Sequence, residues 1–535
     1  MRARRLLTSR SRMTFLSTRG SFGFAPTLRT LTLAAALGAT ATGCGSSGKH
    51  AGDNGATIGG GTGGTTAGGS DASVGEDVVT SGGSDVGLVT SGDAPGFVVD
   101  SGPGTSMPIP TDTGPCTGIA CNVTACSGGG HTTISGTVYA PNGTLPLYNV
   151  IVYVPNQPLD PLPKGVSCDH CGTVQSGAPI ATALSDSSGH FQLVDVPVGD
   201  DIPVVVQLGK WRRQITVPHV AACADTPITT KGEPRLPKNQ SEGNMPHVAV
   251  TTGGCDKLSC MLPKVGIDPT EFGAPGSGKA VEFYNGWDGS TKALAVGPSS
   301  VDAETLWNDV STLSQYDVAI FSCECEEAST TDKTGGSTGT TKSATSFAAV
   351  ASYLNAGGRI FTTDFQYDWY RDSPDKGLAA IGNITGNAPP NLLASLTVST
   401  SFPKGKAMAD WLKVVEPSAA YGQVTADFVF NNFQNANTST VQTWATQKFL
   451  GVVKPGFMSV NTPVGVSADA QCGKALHLDA HINQFDQVDA TYPAGCKTAI
   501  NDGELAFAFL FFDLSACIQN ESVPPAPPKP NPMPH

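Results

Sequence analysis

The chain has 535 residues, room for two or three domains, but its 63 glycines and 39 prolines crowd into particular segments and only 7% of its residues are aromatic. Its formal charge is −13, and the seven arginines ahead of Cys44 face no acid there, so that without them the balance falls to −20. Such an acidic chain argues against a nucleic-acid partner and against electrostatic attraction to an anionic membrane.

Those arginines precede an apolar run at 31–41, LTLAAALGATA, too short to span a bilayer. A basic start, a short apolar stretch and small residues predict an export signal over 1–43. Thr42-Gly43-Cys44 resembles the lipobox of bacterial lipoproteins, although Ala41 stands where that family usually has Leu. The resemblance implies acylation of Cys44. No later run approaches 18 apolar residues, so lipid is the only membrane anchor expected; an ordinary secretory signal is the alternative. Gly45 differs from the Asp that marks inner-membrane retention in such lipoproteins. An outer-membrane lipoprotein facing the periplasm or the cell surface is therefore favoured.

Disulfides persist in an exported chain, and the cysteines after Cys44 are odd in number, which leaves at least one thiol outside any internal pair. Cys255 is expected to close a small loop with Cys260, and Cys323, beside Cys325, to be a disulfide member. The remaining connectivity is open.

Residues 44–115 are Gly, Ser, Thr and Asp with scattered valines, too little apolar surface to offset the entropy of ordering, and read as a disordered linker. From 132 the pattern turns to period-two alternation, in short runs separated by PNG, DSSG and VGD turns. A small antiparallel β-sandwich is predicted over 116–222. ISGTVYAPNGTLPLYNVIVYV followed by SDSSGHFQLVDVPVG resembles the carboxypeptidase regulatory-like, prealbumin-like modules. That resemblance implies a binding or bracing role. Within this module Trp211 and Arg212 belong to its one basic-aromatic cluster, a candidate site for a glycan or an acidic protein ligand; an outward-alternating strand or an interdomain contact is the bland alternative. The loop at 155–179 holds Cys168-Asp-His-Cys171, short of the paired spacing of a zinc ribbon and read as a disulfide-pinned loop.

Residues 223–276 show little periodicity and read as a connector. An α/β domain follows over 277–520, with strands at 280–284, 316–323, 359–363 and 473–478 and helices at 301–313, 346–356, 404–415 and 504–518. Alternating strands and helices predict a mainly parallel, flavodoxin-like sheet. The Pro-rich end at 521–535 reads as a disordered tail.

In a parallel sheet the strand ends collect on one edge, which would gather Glu324, Glu326, Asp364, Asp479 and His481. YDVAIFS, GGRIFTTDF and HLDAHI, in that order, resemble the class I glutamine amidotransferase-like fold and its trehalose-utilisation relatives. The active family carries a cysteine in a Gly-x-Cys-x-Gly elbow; this chain has Thr363-Asp364-Phe365 there, and glutaminase activity is not expected. Asp364, Asp479 and His481 are the candidate catalytic residues, as an acid/base or metal constellation, against the alternative of a vestigial crevice of hydrogen-bonded groups. Glu324 and Glu326 are candidate ligand-binding residues. The complete chain resembles a family of long exported proteins of unassigned function, some labelled tryptophan synthase α chain, a label these residues do not support. The expectation is a cell-envelope lipoprotein with a non-catalytic binding or structural role, without cofactor or dedicated metal site; the alternative is a hydrolase of carbohydrate or peptide.

Overall fold

The computed structural model describes residues 116–531, apart from 174, 287–300, 326, 328–341, 387–388, 484–491, 494 and 497–498. The expected signal, linker and acylated Cys44 lie outside the described residues. Seven strands open the described part: β1 Thr133–Thr137, β2 Ile151–Pro155, β3 Pro179–Leu184, β4 His190–Val194, β5 Gly199–Leu208, β6 Trp211–Val220 and β7 Asp225–Pro227. They form two sheets, β4-β1-β7 and β3-β2-β5-β6, whose inward residues share one core. β4 shows why the alternation was readable: Phe191 and Leu193 are buried while His190, Gln192 and Val194 face outward. The preceding DSSG turn is set by Asp186, whose Oδ1 accepts from Ser188 N at 2.8 Å and His190 N at 2.9 Å. Gly189 there has a φ of +78° and lies so close to Val138 O that a Cβ would come within 2.8 Å of it. All pairings are antiparallel but β1 with β7, which is parallel.

Thirteen further strands follow: β8 Val248–Thr251, β9 Phe272–Gly273, β10 Val281–Tyr284, β11 Val318–Phe321, β12 Arg359–Thr363, β13 Gly382–Ile384, β14 Asn391–Val398, β15 Gln423–Val429, β16 Phe433–Ala436, β17 Val441–Phe449, β18 Val452–Thr462, β19 Gly473–Leu478 and β20 Ala480–His481. Eleven of them build one sheet in the order β9-β10-β8-β11-β12-β19-β18-β17-β14-β15-β20, while β13 and β16 pair separately. The six strands from β9 to β19 are parallel; from β19 to β20 every pairing is antiparallel. The expected mainly parallel sheet is thus a mixed one. The expected connector at 223–276 is also corrected, because it contains β8 between β10 and β11. Four residues, VAVT, buried on both faces, leave no alternation to read.

The helix predicted over 346–356 is Ala344–Asn355, opened by a reciprocal capping box between Ser343 and Ser346 and buried through Phe347, Val350 and Leu354. It stops where Gly357 takes a φ of +114°, with Gly358 N donating to Tyr353 O at 2.9 Å. The helix predicted over 301–313 is broken into Glu304–Trp307 and Val310–Leu313, because Asp309 between them turns extended and caps the second turn through Ser311 N. Pro403–Val415 forms as expected.

The last helix, Asp502–Ser515, is buried at every position from Gly503 to Ser515. It lies between the two expected domains. Phe507 packs on Phe361 of β12 with ring centroids 4.4 Å apart, Phe512 on Trp211 of β6 at 6.2 Å, and Phe509 on Trp411 at 5.4 Å. Sandwich and sheet therefore share a single core around an apolar helix. Disulfides Cys168–Cys472 and Cys171–Cys517 fasten the loop at 155–179 across that interface. The described part of the tail, to 531, lies along β3, where Pro528 O accepts from Thr182 Oγ1 and Asn531 N donates to Pro179 O at 2.9 Å. The expectation of a disordered tail is corrected for these residues: their carbonyls and amides have protein partners that a Pro-rich composition does not reveal.

Candidate functional site

Sheet register builds the site. Phe321 of β11 lies opposite Thr362 of β12, and Thr363 of β12 opposite Leu478 of β19. Continuing the register just past the strand ends sets Cys323, Asp364 and Asp479 in one row across the carboxyl edge. Asp479 is then joined directly to β20, which pairs with β15 at the far end of the strand order: Phe428 lies opposite His481 and Val429 opposite Ala480. Because β20 follows β19 after one residue, the antiparallel half must curl back on the parallel half like an incomplete barrel. That curl brings His481 and the 430–433 segment over the row.

The contacts are tight. Asn432 Nδ2 donates to Asp364 Oδ1 at 2.9 Å and to Asp479 Oδ1 at 2.7 Å. His481 Nε2 lies 3.0 Å from Asp364 Oδ2, and Phe433 N donates to Asp479 Oδ2 at 3.2 Å. The Cys323 thiol donates to Asp364 Oδ2 at 3.5 Å. Asp256, five residues past the end of β8, adds a third carboxylate: its Oδ1 accepts from Ile482 N at 2.8 Å. Asp364 adopts a φ of +35°, a left-handed conformation uncommon outside glycine but tolerated by Asp. Strain of that kind gathers at sites whose surroundings over-determine them.

Burial governs the electrostatics. Asp256, Asp364, Asp479, Asn432 and Cys323 are fully buried and His481 is 5% exposed. Burial, with the nearby Asp364 charge, pushes the Asp479 carboxyl up to about 7 against the hydrogen bonds from Asn432. Burial also pushes Asp256 up, and the Cys323 thiol well above its ordinary value with help from Asp364 and Asp256. His477, whose ring sits between Tyr370 and Phe433 with Nδ1 3.0 Å from Thr362 Oγ1, is driven down to about 3 by burial alone and is neutral. A thiol so raised is a poor nucleophile.

Asp364, Asp479 and His481 are thus brought together. The other predicted residues are not among them. Trp211 is fully buried against Phe512, and Arg212 is 5% exposed, donating to Asn244 Oδ1 at 3.2 Å, Ser176 Oγ at 3.1 Å and Asp160 O at 2.7 Å. Their role as ligand-binding residues is corrected: Trp211 packs against the last helix as an interdomain contact, while Arg212 is tied down by the loop at 155–179 and by Asn244. Glu324 is buried beside Gly286, not on an open surface. Glu326 and Cys44 lie outside the described residues.

Two disulfide expectations are also corrected. Cys255 pairs with Cys325 and Cys260 with Cys496, because β8 and β11 are neighbours and bring 255 to 325. Cys323 is the free cysteine among the described residues. Sequence reasoning missed Asp256, Asn432 and the free thiol: the first lay in a supposed connector, the second in a short Asn-Asn pair between strands, and only the unseen β8 explains why Cys325 turns away from Cys323.

No family model matches the chain, and no curated protein matches it. Among solved structures it is similar to a ThuA-like protein from Bacteroides uniformis (10% identity, 50% of this chain, 91% of that one, TM-score 0.27). Another ThuA-like protein, from Parabacteroides merdae, gives 10% identity over 51% of this chain and 91% of its own, with a TM-score of 0.28. A cytoplasmic protein from Salmonella typhimurium LT2 gives 9%, 51%, 99% and 0.27. At these identities and TM-scores none of them speaks to activity.

Proposed function

We propose that the chain is an exported cell-envelope lipoprotein, anchored through Cys44 in the outer membrane, that binds or braces and does not catalyse. The observation that carries this reading is the disulfide set: Cys116–Cys121, Cys126–Cys223, Cys168–Cys472, Cys171–Cys517, Cys255–Cys325 and Cys260–Cys496. Cytosolic thiols are kept reduced, so a chain that pairs so many of its cysteines belongs to an oxidising compartment. A sealed polar cluster with a carboxylate where the amidotransferase thiol would stand supports binding or bracing over acyl transfer. A glycan or a protein is the expected partner class. Growth on labelled palmitate tests the anchor: wild type is expected to take up label and fractionate with outer membrane, and Cys44→Ser to lose both. Unlabelled wild type in the cytosolic fraction would contradict the proposal.

A second reading, a hydrolase of carbohydrate or peptide, is favoured by the 3.0 Å contact of His481 with Asp364 beside an Asp479 pushed up to about 7, a proton donor matched to neutral pH. Glycan and peptide panels test it. Product release that Asp364→Asn abolishes would support it, and no release from any substrate would remove it.

A further inference from the structure

We infer that the sheet-edge cluster is a binding site for one divalent zinc-class cation, held by the Cys323 thiolate, the His481 imidazole and the Asp364 and Asp256 carboxylates. It goes beyond the binding or bracing role proposed above and does not depend on it. Zinc takes sulfur at about 2.3 Å, nitrogen at about 2.0–2.1 Å and oxygen at about 2.0–2.2 Å in a tetrahedron, which sets sulfur to oxygen at about 3.6 Å and nitrogen to oxygen at about 3.4 Å. Cys323 Sγ lies 3.5 Å and His481 Nε2 3.0 Å from Asp364 Oδ2. The Cys323 sulfur and a His481 ring nitrogen are themselves within 4.8 Å of each other. Asp364 Oδ2 thus has a sulfur and a nitrogen donor, both of types zinc prefers, close to the spacing that one ion requires.

Asp256 supplies the independent sign of a ligand. Its carboxylate is fully buried and lies alongside His481, since Oδ1 accepts from the amide of Ile482, the next residue. Among the described residues its Oδ2 makes no well-formed hydrogen bond, the Thr363 hydroxyl being the side-chain donor near this carboxyl. A buried carboxylate oxygen without a well-formed hydrogen bond is costly, and a cation shared with Asp364 would satisfy it. The sulfur of Cys255 is also within 4.8 Å, but it is committed to the disulfide with Cys325 and is not counted as a ligand. On binding, the Cys323 thiol gives its proton to solvent, its sulfur lone pair forms the bond to the metal, and no redox change occurs. The burial of all four residues fits a closed structural site better than a catalytic one, which keeps a position open.

Cobalt(II) added to the purified, chelator-treated, disulfide-intact protein tests this directly, with zinc content measured in parallel. One equivalent per chain is expected, with a thiolate-to-cobalt charge-transfer band and the visible bands of a tetrahedral ion. Cys323→Ser should remove the charge-transfer band, and Asp256→Asn should keep the band while weakening affinity at least about tenfold. Near-ultraviolet circular dichroism identifies folded variants; if Cys323→Ser does not fold, the nearly isosteric Asp256→Asn decides. No uptake by wild type, a band of full strength in folded Cys323→Ser, or unchanged affinity in Asp256→Asn would each overturn the inference.

Discussion

His477 and Asp479 stand two residues apart at the end of β19, and burial moves them in opposite directions, to about 3 and about 7. Both are neutral when folded through most of the interval between. For the histidine the unfolded chain alone binds the proton below about 6.5, so stability is full above that pH and is lost as pH falls, by about 1.4 kcal/mol per unit. For the aspartate the folded chain alone keeps its proton above about 3.9, so stability is full below that pH and is lost as pH rises towards 7. The two slopes offset each other between pH 4 and 6.5 in wild type. His477→Gln should leave the aspartate slope alone, and urea unfolding at several pH values in that interval should show it gaining stability towards the acid end relative to wild type; an unchanged profile would refute a buried neutral His477. Arg212 makes a simpler case. Arg212→Ala should lower unfolding free energy by roughly 2–4 kcal/mol through its three lost donors and leave any glycan affinity untouched, which urea titration and a glycan array would check. Asp364, Asp479 and His481 were legible because strand ends are recognisable one strand at a time. Asp256 and Asn432 were not, since their place depends on which distant strands become neighbours.

Elements with strong local signals were the readable ones. The Ala344–Asn355 helix carries its capping box, its buried stripe and its glycine stop within a span of fifteen or so residues, so no tertiary knowledge was required. The last helix was visible as apolar, but an all-round apolar surface does not say what lies on each side. Its buried Asp513 exposes the answer: it takes Lys404 at 2.9 Å and Lys474 at 2.5 Å, and both lysines reach Glu521, at 3.2 Å and 2.6 Å. Burial alone would raise the Asp513 carboxyl, but the two lysines outweigh it and hold it below the usual carboxylate range. Lys474→Met leaves buried Asp513 and half-buried Glu521 sharing one lysine. It should cost about 3–5 kcal/mol and loosen the segment at 521–531, seen as a lower urea midpoint and earlier proteolytic clipping of the tail. Clipping and midpoint like wild type would show that the ion network does not hold the tail.

At the scale of the whole molecule, the sequence pointed to two modules and the structure joins them into one core. The joining features are long-range: a helix shared between sandwich and sheet, a sheet that curls on itself through β20, and disulfides that span 304 and 346 residues. None of these leaves a local pattern. Each of those two disulfides can stabilise by up to roughly 5 kcal/mol through lost freedom of the unfolded chain. Replacing both pairs with serine should lower the thermal midpoint and let protease separate sandwich from sheet, whereas a resistant, unshifted variant would mean that the shared helix suffices. The central claim is that this is an exported, oxidised envelope protein, and counting thiols by mass after alkylation in denaturant, on chain recovered from the envelope fraction without reductant, tests it most directly. One alkylated thiol past Cys44, at Cys323, is the predicted result; alkylation of every cysteine past Cys44 before any reductant is added would contradict it.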